Sequence, residues 1–259
     1  MRLMKNGLTE SEANDIKDFS EWILAVGDGR LGEPNDGEAL IDIPKELLIR
    51  NVDDPIEAIS RAVYENLELL HGKNYPEFFR QRAILCPTNN DVNTINERLL
   101  AKLEGEKVIY LSADSIDPQD VESLSNPIFS SDFLNSIKLS GLPNHCLRLK
   151  IGAPVILLRN IDPKGGLCND PKLPFRMRRR QFPLAVAFAM TINKSQGQSL
   201  NEVGLFLPRP VFSHGQLYVA LSRVTSKKGL KVLIVDKEGE IQSQTMNVVF
   251  KEIFQNLKN

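Results

Sequence analysis

Residues 182–200 read F-P-L-A-V-A-F-A-M-T-I-N-K-S-Q-G-Q-S-L, and this stretch predicts how the chain folds. Leu184 to Met190 is an unbroken apolar run without polar residues at alternate positions, which is typical of a strand covered on both faces of a parallel sheet. Hydroxyl, amide and amine side chains follow from Thr191 onward, together with Gly197. We expect this polar segment to be the turn between the strand and a helix, which is the usual ligand position of an open α/β sheet.

Two more apolar runs, Val203–Leu207 and Leu230–Val235, predict strands on either side of a helix. Ser213 with Gln216 fits a capping box at the helix start. The apolar residues after it recur at helical spacing, at Leu217, Ala220, Leu221 and Val224. Arg223 falls off this apolar stripe, so we expect it to be free to face a ligand or a neighbouring domain. The order of elements predicts a layered α/β domain with a mostly parallel sheet.

The N-terminal part predicts two helices and a β-α-β unit. Thr9 with Glu12 is a second capping box and begins a helix that ends at Gly27. Asp54-Pro55 begins another helix, whose apolar face is expected to reach Leu70 before Gly72. The β-α-β unit consists of a strand at Arg82–Cys86, a helix with Val92, Ile95, Leu99 and Leu103 on its apolar face, and a strand at Lys107–Ser112. We interpret Thr88 and Asn89 as a helix cap rather than as site residues.

Between Ala113 and Arg180 the periodicity weakens and short β-like pieces such as Pro154–Leu158 stand between turns. One dense basic run lies here, interleaved with Phe175 and Phe182, and comprises Lys172, Arg176, Arg178, Arg179 and Arg180. It predicts either a track for a phosphate backbone with aromatic stacking, in which Arg178, Arg179 and Arg180 bind DNA, or a solvated basic turn.

Composition limits the function classes. The chain has 259 residues, with 32 Lys and Arg against 33 Asp and Glu, so a nucleic-acid site must be local rather than a general basic surface. Cys86, Cys146 and Cys168 lack metal-binding spacing, which favours free thiols. We expect a soluble, intracellular protein, since the sequence shows neither a membrane-length apolar run nor a signal peptide.

The two C-terminal motifs resemble a known family. T-I-N-K-S-Q-G-Q-S-L followed by Y-V-A-L-S-R-V resembles the fifth and sixth motifs of the petite-integration-frequency (PIF) DNA helicases, which belong to superfamily one and move 5′ to 3′ on single strands. Asn193, where much of the family has His, resembles the branch encoded by Helitron transposons. The resemblance extends over nearly the whole chain, and A-I-L-C-P-T-N is similar to the segment that opens the second RecA-like motor domain.

The resemblance implies an α/β fold, with a RecA-like parallel-sheet domain and a truncated, small β-rich insert. We expect residues 1–110 to be the first part of the second motor domain, 111–181 the insert, and 182–259 the part with the two motifs. The family continues the insert with further barrel strands where this chain passes from Asp170 to Pro171. About forty family residues are missing there, which predicts an open barrel with unpaired strand edges.

The resemblance also implies roles for the motif residues. Arg223 would be the arginine finger that reaches the γ-phosphate of ATP, and Gln196 would sense the nucleotide or its attacking water. Gly197 would let the backbone approach the nucleotide, and Arg2 matches a second γ-phosphate contact, or is only a charged terminal residue. The residues expected to hold a single-stranded DNA backbone, or else to form a polar helix-capping turn, are Thr191, Asn193, Lys194 and Ser195.

ATP and Mg²⁺ are the cofactors of the family, but the printed sequence has no G-x-x-x-x-G-K-[ST] loop and no Asp-Glu at the end of an apolar strand. We therefore expect neither cofactor to bind stably to this chain alone, and its partners to be single-stranded DNA and a first motor domain that this sequence lacks. The resemblance implies DNA replication, repair, recombination or telomere maintenance, in the nucleus or alternatively in mitochondria. A non-catalytic single-strand binding module and a decayed transposon product are the alternatives.

Overall fold

The computed structural model of the chain describes residues 9–32, 37–50, 52–65, 67, 75–139, 141–158, 167–168 and 173–252. The chain divides into two compact units. The first comprises Met1–Lys102 and Phe188–Asn259, and the second is Leu103–Ala187. The second unit is thus inserted into the first, and it is slightly longer at both ends than the predicted insert of residues 111–181.

The described α-helices are α1 (Glu10–Gly27), α2 (Pro55–Tyr64), α3 (Tyr75–Arg80), α4 (Asn89–Lys102), α5 (Val121–Leu124), α6 (Ser131–Ser136) and α7 (Gln216–Leu221). The described strands of the first unit are β1 (Glu38–Asp42), β2 (Arg82–Cys86), β10 (Ala189–Thr191), β11 (Glu202–Leu207), β12 (Leu230–Val235), β13 (Ile241–Gln242) and β14 (Gln244–Val248). Those of the second unit are β3 (Val108–Leu111), β4 (Ala113–Ile116), β5 (Cys146–Leu149), β6 (Val155–Leu157), β7 (Leu167–Cys168), β8 (Met177–Arg180) and β9 (Leu184–Val186).

The first unit is built on a sheet with the strand order β10-β2-β11-β12-β13. Strands β10, β2, β11 and β12 are parallel, and only β13 is antiparallel to its neighbour. From Val203 to Leu207 every residue of β11 is buried, as expected for a central strand with both faces covered. The predicted α/β class with a mostly parallel, RecA-like sheet is confirmed.

Helices cover both faces of this sheet. On one face α1 and α7 pack their apolar sides against the strands, in a core that includes Phe19, Leu85, Leu205 and Leu217. On the other face α2 lies so close to β11 that a Cβ added to Gly204 would come within 2.6 Å of a methyl group of Val63. Gly204 therefore lets α2 pack directly against the central strand.

The predicted strand from Leu184 to Met190 is wrong as a single element. It is divided into β9, which pairs antiparallel with β6 in the second unit, and β10, which pairs parallel with β2 in the first. The chain passes from one unit to the other between Ala187 and Phe188. Both halves are apolar because both lie in packed sheets, so composition alone does not mark the division.

The predicted N-terminal helices are confirmed in position, although the second is shorter than expected. α1 ends at Gly27 as predicted. α2 begins after Asp54, whose carboxylate accepts from the backbone N–H groups of Ile56 and Glu57, but it ends at Tyr64. The following residue, Glu65, has a φ of 56°, which the α-helix cannot accommodate. Leu70 and Gly72 lie outside the described residues.

At the start of α4, Thr88 and Asp91 bond to each other, which confirms the predicted cap for Thr88, whereas Asn89 is the first residue of the helix. The Thr88 hydroxyl donates to the Asp91 carboxylate at 2.6 Å, and the Asp91 N–H donates to the same hydroxyl at 3.5 Å. This arrangement joins the carboxyl end of β2 to the first turn of α4.

The second unit consists of small antiparallel sheets, β3-β5, β4-β8-β7 and β6-β9. Ile116, Leu134, Phe175 and Met177 form a buried apolar cluster inside it. The predicted strand Lys107–Ser112 exists as β3, but it is antiparallel to β5 and does not complete a parallel β-α-β unit. Over the residues described here, no helix combines the length and the apolar character that crossing a bilayer requires.

Candidate functional site

The polar turn follows β10 at the carboxyl edge of the parallel sheet, as predicted. A short 3₁₀ helix, Ile192–Ser195, takes the place of the regular helix that we expected there. The chain then turns through Gln196 and Gly197, and Gly197 has a φ of +82°. A Cβ added to Gly197 would meet no heavy atom within 4 Å, so the backbone at this point is open to a ligand.

The side chains predicted to bind ligands differ in their exposure. Asn193 and Gln196 are exposed, whereas Thr191 and Lys194 are half-buried. Burial lowers the pKa of the Lys194 ammonium, which is the effect expected when a cation loses part of its hydration. A phosphate group placed beside Lys194 would compensate for that loss.

The structure corrects the prediction that the Ser195 side chain binds DNA. It is fully buried, and its hydroxyl donates to the carbonyl of Ile192 at 2.6 Å. This bond closes the 3₁₀ turn from inside. Ser195 therefore shapes the turn, whereas its neighbour Asn193 is exposed and Lys194 is half-buried.

The sequence predicted that Arg223 is free, but its guanidinium is hydrogen-bonded to the turn. It lies just beyond α7, and its Nε donates to the carbonyl of Val219 at 2.8 Å. Its Nη1 donates to the carbonyls of Gln198 at 3.0 Å and Ser195 at 3.3 Å, while Nη2 donates to the Ser222 hydroxyl at 2.8 Å. The half-buried guanidinium thus links the end of α7 to the polar turn, and burial lowers its pKa.

Backbone bonds join the same two segments. Leu200 N–H donates to the carbonyl of Arg223 at 2.8 Å, and Thr225 N–H donates to the carbonyl of Leu200 at 3.2 Å. The two sequence motifs are therefore one structural unit, in which a shift of the turn must also move the residues that follow α7. Sequence analysis predicted both motifs but not this contact.

Two buried polar side chains, which sequence analysis missed, hold the strand that enters the turn. The Asn96 amide bonds to both backbone groups of Ala189, and the Tyr64 hydroxyl donates to the carbonyl of Phe188. β10 is the edge strand of the sheet, so the outward backbone groups of Ala189 would lack partners without Asn96. The Phe188 carbonyl also accepts from the Ile84 N–H of β2 at 3.0 Å. The sequence does indicate Asn96, because it is a polar residue beside Ile95 and Leu99 on the buried side of α4.

Arg209 is a second cation at the carboxyl edge. It follows β11, and its Nη2 lies 3.1 Å from a carboxylate oxygen of Asp91, the residue that Thr88 also bonds. The Arg209 side chain is about half exposed, whereas that of Asp91 is largely buried. The ends of β2 and β11 are therefore tied together by an ion pair next to the strand that carries the turn.

The structure corrects the prediction that Arg179 of the basic run binds DNA, because this side chain cannot reach a nucleic acid. Its side chain is fully buried, and Nε and Nη2 bond the two oxygens of Asp114 at 2.9 and 2.7 Å. The remaining N–H groups donate to the carbonyls of Leu134, Ile137 and Pro143. All five guanidinium donors are used, so Arg179 is a structural residue of the second unit.

The other members of the run differ from one another. Arg178 pairs with the buried Asp117 at 3.3 Å, and Arg180 is exposed. Phe175 is buried against Phe129, with ring centroids 4.2 Å apart, so of the two aromatics only Phe182 remains accessible for stacking. Lys172 and the predicted phosphate contact Arg2 lie outside the described residues.

A metal site is not visible in the described part of the chain. No group of three or more His, Cys, Asp or Glu residues there is arranged to hold a metal ion. The arrangement at the carboxyl edge therefore offers cations, amides and an open backbone, which suit an anionic ligand rather than a metal.

Comparison with known proteins identifies the relationship. The family model described as DNA helicase Pif1, 2B domain, matches residues 132–173, which lie inside the second unit. The ATP-dependent DNA helicase PIF1 of Danio rerio is 30% identical over 207 residues, which covers 65% of this chain and 30% of the relative. The human protein of the same name is 33% identical over 188 residues, covering 59% of this chain and 27% of the relative.

The chain is related to the PIF1 helicases. In the PIF1 protein of Emericella nidulans the identity rises to 50% over 75 residues, although these cover only 29% of this chain and 10% of the relative. The chain thus spans less than a third of the length of these PIF1 relatives.

Solved structures show the same fold. The crystal structure of Pif1 helicase from Candida albicans matches with a TM-score of 0.52 and 22% identity, covering 96% of this chain and 58% of that one. A structure of two coordinating Pif1 helicases at forked double-stranded DNA matches with a TM-score of 0.51 and 18% identity, covering 93% of this chain and 51% of that one. The PIF1 fold therefore accounts for both units, including the inserted one.

Proposed function

We propose that this chain supplies the second motor domain of an ATP-dependent DNA helicase that moves 5′ to 3′ on single strands. The observation that carries the proposal is the direct bonding of Arg223 to the turn at Ser195 and Gln198. A motor domain has to couple a nucleotide contact to a DNA contact, and this bonding joins the residues predicted for the two. Asn193 supports placement in the branch encoded by Helitron transposons.

Arg223 would act on the phosphate that is transferred. Phosphoryl transfer is catalysed mainly by positioning and by stabilisation of charge on the phosphate oxygens, and a guanidinium suits that charge. In the structure the guanidinium is bound to neutral acceptors, namely carbonyls and one hydroxyl. A γ-phosphate would bind it more strongly than these do, since charge-assisted hydrogen bonds are about twice as strong as neutral ones. Nucleotide binding would thereby loosen the link to the turn.

Thr191, Asn193 and Lys194 would contact the backbone of a single strand. Lys194 supplies the charge, the exposed Asn193 amide supplies a neutral donor, and the open backbone at Gly197 allows close approach. Contacts of this kind position a strand without reading its sequence. Gln196, which is exposed in the same turn, would sense the nucleotide or its attacking water.

The metal that ATP hydrolysis requires does not fit the residues described here. They offer no carboxylate cluster, and the printed sequence contains no Gly-rich phosphate loop. The Mg²⁺ ion and the cradle for the phosphates would therefore come from residues outside this sequence. Replication, repair, recombination or telomere maintenance would be the setting of the complete enzyme.

A second function is favoured by the same lack of a phosphate loop in the printed sequence. The turn and its cations are complete within this chain, so it would bind single strands weakly and without hydrolysis. In that case the chain is a binding module, and nucleotide should leave its affinity for single strands unchanged.

The deciding experiment joins this chain to a motor domain that carries a phosphate loop and measures ATP turnover stimulated by single-stranded DNA. Arg223→Ala should lower turnover at least about a hundredfold, because an arginine finger contributes roughly a thousandfold or more. Arg223→Lys should retain part of the link to the turn and still lose most of the turnover. Equal turnover in wild type and Arg223→Ala would exclude the finger, and ATP hydrolysis by the unjoined chain would contradict its dependence on a supplied phosphate loop.

A further inference from the structure

Arg209 stands beyond the carboxyl end of the central strand, in a loop whose backbone is restricted. It follows β11 and lies between Pro208 and Pro210. A proline fixes its own φ and keeps the residue before it in an extended conformation, so the sequence P-R-P limits how the backbone of Arg209 can move. The Arg209 side chain is 53% exposed. The loop therefore presents a cation to solvent and has little backbone freedom left to lose when a ligand binds.

Asp91 fixes the orientation of the Arg209 guanidinium. One of its carboxylate oxygens lies 3.1 Å from Nη2 of Arg209, and the other accepts from the Thr88 hydroxyl at 2.6 Å. The Asp91 side chain is only 9% exposed, so this carboxylate is held in place. Among the described residues the Arg209 side chain makes no other hydrogen bond. A guanidinium has five N–H donors, so those left over can bind a second anion.

The turn that carries Lys194 begins at the same edge of the sheet, two strands away. β2 lies between β10 and β11, and Thr191 at the end of β10 is level with Cys86 at the end of β2. β11 is parallel to β2 and ends there too, at Leu207, just before Arg209. Neighbouring strands lie about 4.8 Å apart, so the ends of β10 and β11 are about 10 Å apart. A single strand of a few nucleotides spans that distance.

We propose that Arg209 binds a second phosphate of the DNA single strand whose backbone lies on the turn at Lys194. This inference rests on the proposed contact between that turn and single-stranded DNA, and it extends the track along the carboxyl edge from β10 to β11. A guanidinium can bind two oxygens of one phosphate at once, which makes the contact strong and directional. Asp91 is the positioning residue, because it holds the guanidinium by Nη2. The contact reads no base, so it does not depend on DNA sequence.

The first test measures how the affinity of the full chain for a labelled oligothymidylate of about 12 nucleotides depends on salt. Arg209→Ala should reduce the slope of log affinity against log salt by about 0.7, which lowers the affinity about fivefold at about 0.1 M salt. Arg209→Ala combined with Lys194→Ala should reduce the slope by about 1.4, because the two side chains contact different phosphates. Arg209→Lys keeps the charge and should keep most of the slope. Thermal unfolding of each variant controls for folding.

Arg61→Ala is the matched control. Arg61 also forms an exposed ion pair, with Glu57 at 3.4 Å. It lies near the end of α2 at the amino edge of the sheet, where Arg82 at the start of β2 donates to the carbonyl of Val63. Arg61→Ala removes the same charge from the chain, but it should leave the salt slope unchanged.

The second test varies the length of the oligonucleotide. In the wild type the salt slope should rise by about 0.7 at the length at which one strand reaches both cations, and this rise should be missing in Arg209→Ala. A slope that Lys194→Ala lowers and Arg209→Ala does not overturns this inference and leaves the proposed function intact. A slope that neither substitution lowers contradicts the DNA contact of the turn as well. An equal loss from Arg61→Ala also overturns the inference, since the loss would then be a general effect of charge.

Discussion

The side-chain amide of Asn96 brackets the backbone of Ala189. Its Oδ1 accepts from the Ala189 N–H at 2.8 Å, and its Nδ2 donates to the Ala189 carbonyl at 3.1 Å. Both residues are buried, so water cannot replace either of these hydrogen bonds. The amide thus substitutes for a neighbouring strand at the edge where β10 leads into the polar turn.

Replacing Asn96 should therefore destabilise the first unit. Asn96→Ala leaves the N–H and C=O of Ala189 buried without partners, and we expect a loss of about 2–4 kcal/mol in the free energy of unfolding, since each such group costs about 1–3 kcal/mol. Chemical denaturation followed by fluorescence of the Trp22 region would measure it. Asn90→Ala is the control, because Asn90 is exposed on the same helix and should change stability by less than about 0.5 kcal/mol. Equal effects of the two substitutions would show that the bracket contributes nothing.

Arg179 should behave as a core residue. Arg179→Met removes the guanidinium that satisfies the buried carboxylate of Asp114 and three carbonyls, so we expect the second unit to lose about 3–5 kcal/mol of stability. The strand neighbour Arg180 is exposed, and Arg180→Met should leave stability nearly unchanged. Limited proteolysis within residues 103–187 would report the difference. A stable Arg179→Met protein with reduced DNA binding would instead return Arg179 to the DNA-binding surface.

Asp54 should give the stability of α2 a dependence on pH. Partial burial raises the pKa of its carboxyl, but bonds from Glu57 N–H, Arg98 and Ile56 N–H together outweigh this and hold the pKa below its ordinary value of 3.8. A carboxyl whose pKa is depressed by folding stabilises the fold above its unfolded pKa, and this contribution is lost as the pH falls through the folded pKa.

At pH 7, Asp54→Ala should thus cost about 1 kcal/mol, mostly from the lost helix cap, because the exposed pair with Arg98 adds little. The difference between the two proteins should shrink below a pH of about 4. Thermal unfolding from pH 7 to pH 3 measures it, with Asp53→Ala as the exposed neighbouring control. A difference that stays constant down to pH 3 would contradict the assignment of the cap to the ionised form.

Lys194 should contribute one phosphate contact to single-strand binding. If it does, Lys194→Ala should reduce the slope of log affinity against log salt by about 0.7, the value for one released counterion on a single strand. Lys228 is the control, because it is exposed and lies outside the turn, just before β12. Filter binding to a labelled oligonucleotide at several salt concentrations gives both slopes. The same loss from Lys228→Ala would indicate a general charge effect.

Hydrophobic periodicity predicted the elements whose own residues carry a clear pattern. α1, α4, β2, β11 and β12 were all placed close to their observed bounds, because each satisfies its own backbone or lies in a sheet with both faces buried. The division between β9 and β10 was not predicted, since an apolar strand looks the same whichever sheet receives it.

The candidate site was predicted where it depends on chain order and missed where it depends on contacts across the fold. Thr191 and Lys194 lie where β10 ends and the turn begins at the carboxyl edge, as the sequence of residues 182–200 indicated. The burial of Arg179 was not predictable from the basic run, because its partner Asp114 lies in another strand and is paired with it only by sheet register. Arg223 was expected to be free for the same reason, since the acceptors at Ser195 and Gln198 come from a distant segment.

The insertion of one unit within the other also determines the order in which the protein can fold during synthesis. β2 is flanked in the sheet by β10 and β11, both of which leave the ribosome after residues 103–187. The described strands of the second unit all lie between 108 and 186, so that unit can pair its strands while the first is still incomplete. Until residues 189–207 emerge, the apolar strand β2 has neither of its neighbours. Its apolar surface and backbone edges stay exposed during that time, as in the incomplete chains that chaperones bind.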